Sequence, residues 1–112
     1  MRLRINTNDV TFLATRGAEQ RTDRETGAVR TDRETGLPLW QVQVAALDSS
    51  GGEVVAITVA GQPANVTIGA PVVIEDLVAI PWSQGERSGV AYRAAAIRPR
   101  DAQPTRSAKS AE

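Results

Sequence analysis

The side chains whose type and spacing could do chemistry are few: four aromatic residues, Phe12, Trp40, Trp82 and Tyr92, and the arginines near them. From Gly85 to Arg100 there are Arg87, Arg93, Arg98 and Arg100 against Glu86 alone. A planar guanidinium offers forked N–H donors to phosphate and a flat face to a base. An exposed indole gives a base a platform worth ~1–3 kcal/mol by alanine substitution. Together they suit non-enzymatic holding of a single-stranded nucleic acid, with Trp40, Trp82 and Tyr92 stacking bases and Arg16, Arg87 and Arg93 following phosphates.

Each candidate also has a plainer reading. Phe12 sits in an apolar stretch and reads as core. Trp40 starts a run whose same-face neighbours are Val42 and Val44, so it either closes a barrel end or faces a ligand. Trp82 follows Pro81 and precedes a polar stretch, Ser83 to Gly89, where an indole stays exposed or folds over the barrel end. Tyr92 shares a face with Val90, Ala94 and Ala96, which favours burial with the hydroxyl at the rim. The arginines without a partner would be a solvated edge; Arg2, Arg4 and Arg16 extend the patch if the first strand lies beside the last two.

What is missing narrows the chemistry further. With no Cys and no His, the chain has no disulfide, thiolate nucleophile, histidine ligand or Ser-His-Asp triad. Glu75 and Asp76 are adjacent in a strand pattern and point to opposite faces, a poor acid–base pair. No Gly-rich phosphate loop, metal-ligand cluster or nucleophile elbow appears, so the reading is not an enzyme and no cofactor is expected. Thirteen basic residues balance thirteen acidic ones, so attraction to a polyanion must come from local clustering. The polar N-terminus and the absence of a long apolar run predict no membrane span and a cytoplasmic location.

The elements that must position these residues are strands. Apolar residues alternate or run in short blocks, and Gly or Pro interrupts every helical period. Five blocks stand out: Arg2 to Thr15 with a break near Asn6 to Asp9, Leu39 to Leu47, Glu53 to Ala60, Pro71 to Ile80, and Val90 to Arg98. The turn cluster Asp48 to Gly52 joins the second and third blocks as a hairpin, and Ser83 to Gly89 joins the last two. This predicts an all-β, five-stranded OB-like barrel over residues 1–99, with 100–112 a disordered tail.

Residues 17–37 stand apart as a polar, charged insertion between the first two strands. RTDRETG occurs at Arg21 to Gly27 and again at Arg30 to Gly36, an identical copy offset by nine residues. Inserted backbone is tolerated where it disturbs no core, which predicts a protruding wing. Its Arg21, Arg24, Arg30 and Arg33 are balanced by Asp23, Glu25, Asp32 and Glu34. The pattern reads as a solvated wing, with Arg30 and Arg33 candidates for phosphate contact near its base.

The order of the strings TGLPLWQVQV, EVVAITVAGQP, GAPVVIEDLVAIPW and SGVAYRAAAIRP resembles small OB-fold single-stranded-DNA-binding proteins, typified by the helix-destabilising proteins of filamentous phages. The ending from Pro81 to Pro99 is similar to that of small proteins of actinobacterial mobile elements. The resemblance covers about Arg16 to Pro99. It implies cooperative, largely sequence-independent binding of single-stranded DNA, with RNA also open, by a homodimer in the replication or transfer of a plasmid or other mobile element. It also implies DNA contact by the wing, and contact and assembly by the last hairpin. An OB-type protein-interaction module that binds no nucleic acid is the alternative, and oligosaccharide binding on the same face a third.

Overall fold

The computed structural model describes residues 1–100 except Arg24 and Ala64, so the expected tail over 101–112 lies outside the described residues. The strands are β1 (Leu3–Arg4), β2 (Thr11–Ala14), β3 (Glu19–Gln20), β4 (Leu39–Asp48), β5 (Gly51–Ala60), β6 (Pro71–Glu75), β7 (Val78–Gln84), β8 (Arg87–Ala94) and β9 (Ala96–Pro99). Alternation along Trp40-Gln-Val-Gln-Val44 makes β4 a half-buried strand, with Val42 and Val44 fully buried. It pairs with β5 in one register from Leu39↔Ala60 to Asp48↔Gly51, leaving Ser49 and Ser50 as the turn. Asp48 accepts hydrogen bonds from the Ser50 N–H at 2.9 Å and its hydroxyl at 2.6 Å, which fixes that turn.

The pairings join five lengths of chain in a ring. β2 pairs with β4, β4 with β5, β5 with β8 in parallel, β8 with β7, β9 with β6, and β6 again with β2. β6 and β7 are one length interrupted at Asp76 and Leu77; β8 and β9 are one length interrupted at Ala95. The fold is therefore all-β, a strongly curled, barrel-like sheet in which five lengths of chain follow one another in an OB-like order. Its core is built from Phe12 and Ala14 on β2, Val42 and Val44 on β4, and Ile57 and Val59 on β5. Val72, Ile74, Leu77, Ala94 and Ile97 complete it from the last two lengths. Among the described residues no helix is long and apolar enough to cross a membrane.

Counting segments corrects the expectation of five strands: among the described residues there are nine, because three of the five lengths are broken, the first at the break expected near Asn6 to Asp9, and the wing contributes β3. The break in the fourth length has a local cause. Asp76 takes a positive φ of 53°, a conformation short polar side chains tolerate, and Leu77 turns into the core. This re-aims the chain so that β7 and β8 run on past the barrel as a projecting hairpin.

That hairpin also corrects the expected strand end at Ile80. β7 continues through Pro81 and Trp82 to Gln84, and Gln84↔Arg87 closes a two-residue turn at Gly85 and Glu86. Pro81 is tolerated because this stretch is an edge strand, where one row of N–H groups has no strand to meet. Gly85 has φ 64°, the positive value a type II′ turn demands of its first central residue.

The wing is two hairpins built by the two repeat copies in the same way. Gly27 N–H donates to Asp23 O and Gly36 N–H to Asp32 O, both at 2.8 Å, and both glycines take φ 75°. Bridges Thr22↔Val29 and Thr31↔Pro38 close the two loops. At their base, three residues nine apart complete a ring of backbone bonds. Arg21 N–H donates to Leu39 O, Leu39 N–H to Arg30 O, and Arg30 N–H to Arg21 O, at 2.8, 2.8 and 3.0 Å.

Candidate nucleic-acid interface

The register settles which side chains share the outer face. Thr58 lies between Gln41 on β4 and Arg93 on β8, in one row across the sheet. Alternation along β8 then puts Ala91, Gly89 and Arg87 on the same side as Arg93, with Trp82 and Ile80 beside them on β7. The outer face runs from the wing at one end to the tip of the projecting hairpin at the other.

Three contacts pin the wing to this face. β3 pairs with β4 through Glu19↔Gln41 and Gln20↔Trp40. Arg21 Nη1 donates to Thr58 Oγ1 at 2.9 Å, and burial, then the nearby Arg30 charge, lowers the Arg21 pKa. Arg93 donates through Nη2 to Asp32 Oδ1, an ion pair in which Asp32 is the one buried charged residue among those described. Thr35 donates to the other oxygen of Asp32 from its N–H at 3.0 Å and its hydroxyl at 2.9 Å. Arg93 foremost, and Thr35 after it, hold the Asp32 carboxyl down to about 2.

Beside that pair is a cleft of about 270 Å³ walled by Arg2, Arg30, Arg33 and Arg93, with Asp32 and Glu34. Four arginines and two acidic residues line it, and one of the two, Asp32, is held by Arg93. Arg2, Arg30 and Arg33 make no ion pair among the described residues. The cleft therefore has a local positive excess that the neutral total conceals, with donors suited to a phosphate.

Three of the residues expected to bind, Arg30, Arg33 and Arg93, converge on this cleft, while the other five are placed elsewhere. Arg16 is exposed and pairs with Glu19 at 3.3 Å. Trp40 and Tyr92 are half-buried and pack against the barrel core. Tyr92 borders a separate cavity of about 280 Å³ with Phe12, Leu77 and Val55, at the end of the barrel where β4 turns into β5. Trp82 and Arg87 lie on the projecting hairpin; Trp82 is 41% exposed and Arg87 is exposed at the tip.

Arg98, counted in the local basic excess, pairs with Glu75 at 2.7 Å across β9 and β6. Sequence reasoning missed Asp32 and the Arg21–Thr58 contact. The two copies are identical, so nothing in the string separates Asp32, which reaches Arg93, from Asp23, which stays exposed. Arg2 reaches the cleft because β1 pairs with β7 through Leu3↔Ala79 and Arg4↔Val78. Comparison with protein-family models, curated proteins and solved structures finds no match to this chain.

Proposed function

We propose that the protein is a non-enzymatic, largely sequence-independent single-stranded-DNA-binding protein whose strand follows the outer face from the wing cleft to the β7–β8 hairpin. The observation that carries this reading is the cleft of Arg2, Arg30 and Arg33 beside Arg93, on the same barrel face as the exposed indole of Trp82. OB barrels bind oligonucleotides on the second- and third-strand face with the loops after strands one and four. Those loops correspond here to the wing and the tip of the hairpin. In this reading the arginines hold phosphates and Trp82 stacks a base, while Trp40 and Tyr92 support the barrel beneath.

The test is the salt dependence of binding to a single-stranded oligonucleotide. Each phosphate contact on a single strand contributes a slope of about −0.7 in log K against log salt. Arg33→Ala and Arg87→Ala should each lower affinity and flatten that slope by about one contact. An unchanged slope in both variants contradicts phosphate tracking by these residues.

A second reading, a protein-interaction module, is favoured by one feature. Pro81 and Val90 pair across the projecting hairpin, on the side away from Trp82, and Val90 is 48% exposed. Apolar side chains there suit assembly of a homodimer through this hairpin. Sedimentation of Val90→Glu against the unmodified chain tests it: loss of a dimer supports assembly there, and an unchanged mass at all concentrations contradicts it.

A further inference from the structure

The duplicated RTDRETG contains its own internal control. In the first copy, Asp23 Oδ1 accepts the Glu25 and Thr26 N–H groups at 2.8 and 3.3 Å, and the turn forms with the aspartate exposed. In the second copy, Asp32 serves its turn through Thr35 and also reaches across to Arg93. The same seven-residue string thus makes the turn with no arginine partner for its first aspartate among the described residues. The Asp32–Arg93 contact is an addition to the turn, placed at the wall of a cleft whose other arginines are unpaired among the described residues.

Asp32 meets Arg93 through one carboxylate oxygen, Oδ1, the other being held by Thr35, and an anionic oxygen on a guanidinium N–H is also what a phosphate supplies. Asp32 therefore occupies on Arg93 a position that a phosphate oxygen would take, in a cleft lined by three further arginines whose charge would favour a phosphate over a carboxylate. We propose that this cleft is a phosphate subsite in which the ligand's phosphate replaces Asp32 on Arg93, with Arg2, Arg30 and Arg33 closing around it, so that occupation loosens the second wing hairpin from the barrel. The proposal deepens the single-strand reading and rests on it only for the source of the phosphate, which is either a nucleic-acid strand or a small phosphate ester.

The experiment is a nuclear magnetic resonance titration of the full chain with inorganic phosphate, against sodium chloride at matched ionic strength. Phosphate should shift the Thr35 amide and the Arg33 and Arg93 side-chain N–H signals saturably, and chloride should not. Arg33→Ala should weaken phosphate about tenfold, the loss of one charged hydrogen-bonding partner. Asp32→Asn, which removes the competing charge, should tighten phosphate roughly fivefold. Thermal unfolding checks that Asp32→Asn keeps the barrel. Glu34→Gln removes the cleft's other negative charge without touching Arg93 and should tighten phosphate in the same direction.

No saturable shift with phosphate overturns the subsite. Unchanged affinity in Asp32→Asn, with a Thr35 amide that does not move in the unmodified chain, overturns the exchange. Parallel titration with 5′-phosphorylated and 5′-hydroxyl oligothymidine separates the sources. Strand binding without movement at Thr35 contradicts the subsite and leaves the single-strand reading standing. Phosphate binding without strand binding contradicts the single-strand reading and supports a site for a small phosphate ester.

Discussion

The indole of Trp82 lies across Gly89, its partner on the neighbouring strand. A Cβ built on Gly89 would stand 2.9, 3.1 and 3.2 Å from the Cζ2, Cε2 and Nε1 atoms of the ring. One face of the indole thus rests on bare backbone, and the side chain still retains 41% of its exposure. A platform for a base needs this arrangement: a ring held by its own strand pair with area left for a partner.

Gly89→Ala tests that arrangement. The added methyl must move the ring, and because the ring is exposed the cost in stability should stay within about 1 kcal/mol. Tryptophan emission should shift to longer wavelength, and single-strand affinity should fall toward that of Trp82→Ala, a loss of about 1–3 kcal/mol. Displaced emission with undiminished affinity would show that Trp82 is no platform.

The ring of bonds among Arg21, Arg30 and Leu39 predicts that the wing is modular. Deleting residues 21–29 joins Gln20 to Arg30 and lets Arg30 and Leu39 exchange both backbone bonds as an ordinary antiparallel pair. Arg30 then stands where Arg21 donated to Thr58, and Asp32 keeps Arg93. The deleted segment holds two arginines and two acids, so net charge is unchanged. Cooperative unfolding within roughly 4 °C of the full chain is expected, a change of less than about 1 kcal/mol. Loss of the folded state would show that both copies are needed.

Much of this architecture was legible in the sequence, for physical reasons that differ by element. Alternation in Trp40 to Ala46 identifies β4 and its inward face, because the period of a strand is two residues. The glycines at Gly51 and Gly52 concealed the start of β5, since an exposed hairpin end tolerates residues that strand propensity disfavours. Pro81 concealed the length of β7 for the related reason that an edge strand needs only half its N–H groups. At the site, clustered arginines marked Arg30, Arg33 and Arg93. What brings Asp32 rather than Asp23 to Arg93 is the position of each hairpin over the barrel, which two identical strings cannot encode locally.

Acid should release the second wing hairpin before the barrel itself. Hydrogen bonds from Arg93 and Thr35 favour the charged form of Asp32 and lower its folded-state pKa from 3.8 to about 2. A depressed carboxyl stabilises the fold fully above its unfolded value and loses that contribution as pH falls through the folded one. The Thr35 and Leu37 amides should therefore gain hydrogen exchange between about pH 4 and pH 2. Asp32→Asn should exchange faster at neutral pH and show little change across that window. Protection of Thr35 that follows the same profile in both proteins would remove Asp32 as the cause.

Single-strand binding is tested by tryptophan fluorescence during titration with a ~20-nucleotide single strand and with the matching duplex, at low and high salt. Quenching by the single strand that weakens with salt, is much smaller with duplex and disappears in Trp82→Phe with Trp40 intact is the predicted result. A folded protein whose emission and anisotropy respond to neither nucleic acid at low salt would contradict single-strand binding.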